Sequence, residues 1–389
     1  MLTKFQVKNF KKFSDNIIFD LSKKGDYDFN EEVIRNNNIN FALIYGSNGS
    51  GKSNLGLAIF DILFHITDYS KEVQILYENY LYGNGILSDR AEFTYNFLFD
   101  NHNVEYRYTK KDFENLIEEE FKLDGKTLVY MNREKKEEKI YIPEGDTLKI
   151  EGFFDANLSL IKYILKNSII ETQILEKFNN FINKMNWLRS LQRNNYMGYP
   201  LKNNSIIGAI LGVNEIEKLD ISIDEKEEKF NKNVKELKEF LLEGGIDLNL
   251  IQSERDGKRD IFVKYQSLEK EERLIRLWDI LSSGTFALLS LYNFYKRIED
   301  NSLLFIDEFD AFYHYRLTKL IVKKLKEQKN TQIILTTHST NLMDNELLRP
   351  DCYFIIKDNK IKNLPELTNK ELREAHDIEK LFKSGVFDE

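Results

Sequence analysis

Hydrophobic and polar residues alternate along the first part of the chain in a way that is typical of β-strands. Residues 2–20 predict two short strands around a turn, and residues 91–108 predict a hairpin around the sequence DNHN. Another strand pair is predicted within 127–150, with PEGD as its turn. Residues 41–45, FALIY, are apolar without interruption, which favours a strand buried on both faces. A helix is predicted for residues 54–66.

The pattern changes after about residue 152. Segments 155–195 and 224–243 predict helices, and in the second segment Phe230, Val234, Leu237 and Leu241 recur at helical spacing. Gly244 and Gly245 then predict its end. This helix is interpreted as a surface helix on an insertion, with a partner-docking arm as the alternative.

Strand-like segments return towards the end of the chain, at residues 261–268, 301–306, 330–339 and 351–361. The chain is therefore predicted to comprise an N-terminal lobe (1–150), a mostly helical insertion (151–255), a C-terminal lobe (256–362) and a helical tail (363–389). Because the two lobes flank the insertion, they are expected to pack together as one domain.

Composition narrows the class of protein. The chain has 389 residues, 42% of them hydrophobic, and a net charge of −8, which argues against a simple nucleic-acid coat. The single cysteine, Cys352, excludes an intramolecular disulfide and a cysteine-based zinc site, and we expect it to be a buried strand residue. No apolar run is long enough to cross a membrane and no secretory leader is recognisable, so we expect a cytoplasmic protein without membrane contact.

The first chemical motif follows the apolar run 41–45. Residues 46–53, GSNGSGKS, have the spacing G-x-x-x-x-G-K-S of a phosphate-binding P-loop. Its glycines allow backbone N–H groups to point inward, and a helix N-terminus near Lys52 favours a phosphate. Lys52 is predicted to reach the β- and γ-phosphates, and the Ser53 hydroxyl to ligate Mg²⁺. The predicted nucleotide-binding residues are Gly46, Ser47, Asn48, Gly49, Ser50, Gly51, Lys52 and Ser53.

Three later motifs are consistent with nucleotide hydrolysis. The run Leu303–Ile306 followed by Asp307 and Glu308 is typical of a Walker B strand, in which Asp307 serves Mg²⁺ and Glu308 activates water. Upstream, Leu281–Thr285 is a polar turn before an apolar helix, whose start Ser282 or Ser283 caps. Downstream, His338 follows an apolar strand.

The order of these motifs resembles the ABC-type ATPases of the SMC, RecF and OLD group. The resemblance covers roughly 1–110 and 255–360, including the opening KFQVKNFKKFSD, whose Lys11 or Lys12 would lie near the nucleotide. It implies an α/β fold: an ABC-type P-loop NTPase head with an antiparallel β subdomain and a helical insertion. The cofactors would be ATP and Mg²⁺. No glutamine clearly matches the Q-loop of the group, and Gln74 is a weak candidate.

The resemblance also implies a dimer. Ser282, Ser283 and Gly284 would form the signature motif, which binds the γ-phosphate held by the partner subunit of a homodimer or higher oligomer. Asp310–His314 would form the D-loop, which crosses to that subunit. His338 would be the switch histidine, in contact with the γ-phosphate and the catalytic water, so that the expected catalytic residues are Lys52, Glu308 and His338.

The tail resembles the ending of bacterial defence-associated ATPases of the RloA and AbiLii kind, with AriA of the PARIS system as a related possibility. The matching residues are Arg373, His376, Glu379, Lys380, Gly385 and Phe387. The alternative is a terminal amphipathic helix that packs on the core. Residues 339–389 are too few for a nuclease domain of the usual size, so we expect a sensor or switch in anti-phage defence whose effector is separately encoded.

Two other functions stay open from the sequence. One is a RecF-like repair ATPase that binds nucleic acid, because Lys177, Lys184, Arg189 and Arg193 lie among aromatic residues in the insertion. The other is a scaffold that binds ATP with negligible hydrolysis, against which the presence of Glu308 argues.

Overall fold

The computed structural model describes residues 1–67, 74, 76–142, 154, 157–166, 173–192, 195–199, 227–255, 258–266, 271–295 and 302–388. The helices are α1 (Lys52–Ile66), α2 (Leu160–Lys166), α3 (Gln173–Asn183), α4 (Glu227–Glu243), α5 (Ser283–Tyr295), α6 (Tyr315–Lys326) and α7 (Ile378–Lys383). The strands are β1 (Leu2–Lys8), β2 (Ile17–Asp20), β3 (Ile34–Arg35), β4 (Asn38–Ile39), β5 (Phe41–Tyr45), β6 (Ala91–Phe99), β7 (His102–Lys110), β8 (Leu116–Leu123), β9 (Lys126–Asn132), β10 (Glu137–Ile140), β11 (Asn186–Gln192), β12 (Asn195–Tyr199), β13 (Leu250–Arg255), β14 (Lys258–Gln266), β15 (Glu272–Arg276), β16 (Leu303–Asp307), β17 (Gln332–Thr337), β18 (Tyr353–Lys357) and β19 (Lys360–Asn363).

The central sheet has the strand order β12-β11-β16-β17-β5-β18-β19. Its five inner strands are parallel, and β12 and β19 pair antiparallel at the two edges. Every residue of β5, β16 and β17 is buried, as is typical of inner strands of a parallel sheet, and the buried set includes polar residues at the ends of β16 and β17. Because parallel strands end at the same edge, the residues after β5, β16 and β17 are neighbours.

A second, antiparallel sheet has the order β10-β9-β8-β7-β6-β1-β2. Helix α1 lies between the two sheets. On one side Gly56 approaches Phe305 of β16 so closely that a Cβ on Gly56 would be 2.8 Å from that ring. On the other side Tyr95 of β6 donates a hydrogen bond to the Ala58 carbonyl at 2.7 Å. The predicted α/β class with an antiparallel β subdomain is confirmed.

Buried polar groups fix α1 to the antiparallel sheet. Asp61 and Lys110 form an ion pair of 3.0 Å in which both side chains are fully buried, and the hydroxyls of Tyr80 and Tyr108 donate to the same carboxylate. One turn later, His65 Nε2 lies 2.9 Å from the Tyr106 hydroxyl. The helix that begins at the P-loop is therefore held at both Asp61 and His65.

Several predicted elements are confirmed, and two need correction. The strands β1, β2, β5, β6 and β7 and helix α1 lie where the pattern predicts them. The strand pair within 127–150 exists as β9 and β10, but it turns at residues 133–136, and PEGD lies outside the described residues. The helical prediction for 155–195 is wrong at residues 186–192, because β11 pairs in parallel with β16.

The predicted helix at 224–243 is α4, and Val234, Leu237 and Leu241 are buried as predicted. The side chain of Phe230 lies outside the described residues. Gly245 adopts a φ of +80°, which ends the helix. Phe240 packs on Tyr292 of α5 with ring centroids 4.7 Å apart, so one face of α4 is packed, as an amphipathic surface helix requires. The partner-docking alternative stays a prediction.

Two smaller expectations concern single features. Cys352 is buried, as expected, but it lies in the short turn before β18. Among the described residues, no helix is both long and apolar enough to span a membrane. The bounds of the lobes, insertion and tail stay a prediction.

Candidate functional site

The P-loop connects the end of β5 to the start of α1. Gly49 and Gly51 have φ values of +75° and +111°, in the left-handed region that glycine adopts without strain. A Cβ on Gly51 would also lie 2.8 Å from the Phe13 ring, so the loop needs glycine here for two reasons. The Leu55 N–H then donates to the Gly51 carbonyl at 2.9 Å and begins the helix.

Lys52 lies at the first position of α1 and is almost completely buried. Its ammonium donates to the carbonyls of Gly46 at 2.6 Å and Ser47 at 3.2 Å. Burial lowers the pKa of Lys52, while the carboxylates of Glu308, Asp307 and Asp310 act in the opposite direction. The P-loop lysine therefore shares an electrostatic environment with the acids after β16.

The structure separates the two lysines between which the sequence could not choose. The Lys12 ammonium contacts the Gly49 carbonyl of the P-loop. The Lys11 ammonium instead donates to the Glu78 carbonyl at 2.8 Å. Lys12 is therefore the basic residue of the opening segment that lies against the loop.

The end of β16 is held by a threonine from the neighbouring strand. The Thr336 hydroxyl donates to Asp307 Oδ1 at 2.6 Å, and the Glu308 N–H donates to that hydroxyl at 2.8 Å. Glu308 has a φ of +50°, a left-handed conformation that costs a non-glycine residue on the order of 1–3 kcal/mol. The buried Asp307 and the turn at Glu308 are thus fixed by one side chain.

The next residue of β17 contacts the segment predicted to be the D-loop. The Thr337 hydroxyl donates to Asp310 Oδ2 at 2.6 Å and accepts the N–H of Ser339 at 2.9 Å. His338 lies between Thr337 and Ser339 in the sequence and is exposed. Its position is therefore coupled through Thr337 to Asp310.

The predicted signature segment begins α5. The Thr285 N–H donates to the Ser282 hydroxyl at 3.1 Å, so Ser282 is the N-cap of this helix. A Cβ on Gly284 would lie 3.2 Å from the carbonyl of Phe312, which belongs to the predicted D-loop. The side chain of Ser283 lies outside the described residues. The start of α5 and the predicted D-loop of the same chain therefore lie side by side.

The tail packs on the core beside these loops, as its alternative interpretation expected. Phe387 and Ile378 are buried, and the Phe382 ring lies 6.5 Å from that of Tyr45, the last residue of β5. The Thr340 hydroxyl, two residues after His338, donates to Glu379 at 3.0 Å. Of the other tail residues singled out from the sequence, Arg373 and His376 contribute carbonyls to Asn345.

Sequence reasoning missed Thr336 and Thr337. The signal was present as two hydroxyl residues directly before His338, but each also suits a strand on propensity alone. The candidate Gln74 is exposed, and residues 68–73 and 75 lie outside the described part of the chain.

The residues at this edge fit a magnesium nucleotide. A Cβ on Gly46 would lie 2.3 Å from the Ser50 Oγ and 2.6 Å from Ile356, so backbone alone lines the loop there. The Ser50 hydroxyl and Asp310 Oδ1 are buried without a hydrogen-bond partner. Phosphate oxygens and their water molecules are the chemistry that such donors and acceptors accommodate.

A comparison with known families gives a match over most of the chain. The family described as "AAA domain, putative AbiEii toxin, Type IV TA system" matches residues 41–344, from the first residue of β5 to beyond His338. The chain belongs to this AAA-domain family. As a member, it is an ATP-binding P-loop protein with an AAA domain, and the matched range includes the P-loop, the predicted signature segment, Asp307, Glu308 and His338. The opening segment and the tail lie outside the matched range.

Solved structures of SMC heads are similar to the chain over most of its length, at low sequence identity. The SMC head domain from Thermotoga maritima is 13% identical, with 93% of this chain and 97% of that one covered and a TM-score of 0.43. An SmcHead bound to the C-winged helix domain of ScpA is 16% identical, with 93% and 96% covered and a TM-score of 0.41. The Smc head domain with an extended coiled coil, bound to the C-terminal domain of ScpA from Pyrococcus furiosus, is 16% identical, with 93% and 95% covered and a TM-score of 0.41. No curated protein matches the chain.

Proposed function

We propose that this AAA-domain protein hydrolyses Mg-ATP and uses the reaction as a switch. The observation that carries the proposal is the convergence of Lys52, Asp307 and Glu308 at one edge of the central sheet, with Asp307 and Glu308 fixed by Thr336. A P-loop by itself indicates only that a nucleotide binds. A fixed acid pair beside it is what water activation requires.

The residues take distinct roles in this proposal. The backbone of 46–51 and Lys52 hold the phosphates, and Ser53 and Asp307 would hold Mg²⁺, which would supply neutralisation of the phosphate charge. Glu308 accepts a proton from the water whose oxygen attacks the γ-phosphorus. The bond from that phosphorus to the β,γ-bridging oxygen breaks, and ADP leaves. His338, placed through Thr337 and Asp310, contacts the γ-phosphate.

Dimerisation is the second part of the proposal. The first turn of α5 has backbone N–H groups that suit a γ-phosphate, and Ser282 caps it. Residues Ser282, Ser283 and Gly284 bind the nucleotide held by a second copy of the chain. Gly284 lies close to the Phe312 carbonyl, and this closeness of the two segments that would face the partner supports one continuous interface.

The third part concerns what the switch controls. The family description names a toxin of a type IV toxin–antitoxin system, and the tail resembles bacterial defence ATPases. The effector is a separately encoded protein in anti-phage defence, and ATP-dependent closure of the dimer changes its affinity. The exposed Leu242, on the solvent side of α4, supports this helix as its docking surface.

Phosphate release by the purified protein tests the chemistry. Glu308→Gln is expected to keep ATP binding and to reduce hydrolysis by at least about a hundredfold, because it removes the base. Lys52→Ala is expected to lose binding as well. The exposed Glu374→Gln serves as the charge-matched control. Hydrolysis by Glu308→Gln at the wild-type rate would show that the assignment of the base is wrong.

A further inference from the structure

A cavity lies at the edge of the central sheet that is opposite to the P-loop. It has a volume of about 420 Å³, and Ser302 and Gln332 form part of its lining. Ser302 immediately precedes β16, and Gln332 is the first residue of β17. The strands that start at this cavity are therefore the two that end at Asp307 and Thr337.

Cationic side chains from two separate elements line the cavity. Lys177 and Lys184 are seven residues apart along α3 and its end, and this spacing puts both on one face of the helix. Arg35, from the β3–β4 hairpin, lines it too, and its guanidinium donates to the Asn330 carbonyl at 2.7 Å. Asp100 is the carboxylate in the lining, and it pairs with Lys177. The lining is thus cationic in a chain whose net charge is −8.

The rest of the lining suits a small organic molecule. Leu98, Phe99 and Phe181 provide an apolar part, and the rings of Phe99 and Phe181 lie 5.7 Å apart. The backbone of Leu2 holds the Gln332 amide: Gln332 Nε2 donates to the Leu2 carbonyl at 2.8 Å, and Gln332 Oε1 accepts from the Leu2 N–H at 2.9 Å. The Gln332 side chain is therefore held in one orientation in the lining, and the volume of the cavity lies in the range of small-ligand sites.

We propose that this cavity binds a phosphate-bearing small molecule of about the size of a mononucleotide. Lys177, Lys184 and Arg35 bind the phosphate, which competes with Asp100 for Lys177. The apolar part of the ligand packs against Phe99 and Phe181. A concave site of this volume on an acidic protein favours a small anion over a polynucleotide, which needs an extended basic surface.

The location gives the ligand a route to the nucleotide site. β16 and β17 have five and six residues, so the cavity and the acids are roughly 20 Å apart along hydrogen-bonded strands. A ligand that shifts Ser302 or Gln332 acts on the same strands that position Asp307 and Thr336. This coupling rests on the proposed ATPase function, whereas the binding site itself does not.

Calorimetry on the full chain carrying Lys52→Ala tests the binding site, because that background weakens phosphate binding at the P-loop. The probes are inorganic phosphate, AMP, GMP, CMP and UMP. At least one monophosphate is expected to bind with a Kd below about 1 mM, and Lys177→Gln with Lys184→Gln to weaken it at least about tenfold. Asn180→Trp, which adds bulk to the cavity lining without a charge change, is expected to do the same. The control Lys235→Gln removes a lysine that does not line the cavity.

Two results would overturn the proposal. One is a failure of binding to the cavity: either no probe binds, or a probe binds the double lysine variant and Asn180→Trp as tightly as it binds the Lys52→Ala background, while the thermal unfolding of both variants is unchanged. The other is that a short single-stranded DNA binds through Lys177 and Lys184 while no monophosphate does, which would assign the surface to nucleic acid. Because no readout depends on hydrolysis, failure here leaves the proposed ATPase activity untouched.

Discussion

Thr336 joins the Asp307 carboxylate to the backbone turn at Glu308: its hydroxyl donates to Asp307 Oδ1 at 2.6 Å and accepts the Glu308 N–H at 2.8 Å. The carboxylate and the backbone of consecutive residues are thereby fixed by a side chain from the adjacent strand. Glu308 adopts a left-handed backbone at this point, which the bond to Thr336 helps to maintain.

We expect Thr336→Val to lower kcat about 10- to 100-fold while ATP binding changes by less than about threefold. The variant keeps the shape but removes a hydrogen bond to a charged group, which is worth about 1.5–3 kcal/mol. Thr336→Ser retains the hydroxyl and should recover most of the rate. Steady-state hydrolysis and nucleotide titration give the two quantities. A wild-type kcat for Thr336→Val would mean that Asp307 and Glu308 need no such support.

In the proposed dimer each nucleotide lies in a composite site, made of the P-loop of one subunit and the start of α5 of the other. We expect Ser283→Arg to bind ATP as a monomer but not to dimerise with it, because the added side chain occupies the surface that faces the partner's phosphate. Light scattering with ATP measures this. Mixing Ser283→Arg with Lys52→Ala should restore hydrolysis, since one intact P-loop then faces one intact signature. Unchanged dimerisation by Ser283→Arg would contradict composite sites.

The buried ion pair between α1 and β7 yields a stability prediction. Lys110→Met should lower the free energy of unfolding by about 3–5 kcal/mol, because it leaves the Asp61 charge buried without its cationic partner. Adding Asp61→Asn should recover part of that loss, since the buried charge is then removed too. Urea denaturation of the single and double variants decides it. A loss below about 1 kcal/mol for Lys110→Met would show that Tyr80 and Tyr108 suffice.

His65 gives a pH prediction. Burial lowers the pKa of His65 well below its usual value, and the nearby charge of Lys110 acts in the same direction. Below about pH 6.5 the unfolded chain therefore binds a proton that the folded chain does not, so stability falls as pH falls. Between pH 6.5 and 5.5 the wild type should lose about 1 kcal/mol more than His65→Gln, because the unfolded histidine is half protonated at the upper pH and almost fully protonated at the lower one. Parallel pH profiles of the two proteins would disprove this.

The motifs that could be predicted from the sequence are those made by contiguous residues. A P-loop uses its own backbone, so the sequence 46–53 contains most of its geometry, and the turn into α1 at Lys52 follows. The contact of Thr336 with Asp307 joins residues on two strands whose pairing only the folded sheet establishes. The same reason explains why Lys12, and not Lys11, lies against the loop.

The missed strand shows the same limit. Residues 186–192, NWLRSLQ, follow a helix directly and contain no turn signal that marks a strand. What makes them a strand is the pairing of Asn186–Arg189 with Leu304–Asp307. Tertiary pairing overrides local propensity here, as it commonly does in strands.

The pairing of β11 with β16 also changes what the insertion is for. Without β11, the strand LLFID would be the exposed edge of the central sheet, with an unpaired ladder along an apolar sequence. Such an edge invites pairing between molecules and aggregation. A shortened protein lacking 151–255 would therefore be expected to precipitate before its activity could be assayed, and any minimal version of this AAA-domain protein must keep 186–192 as the cover of β16.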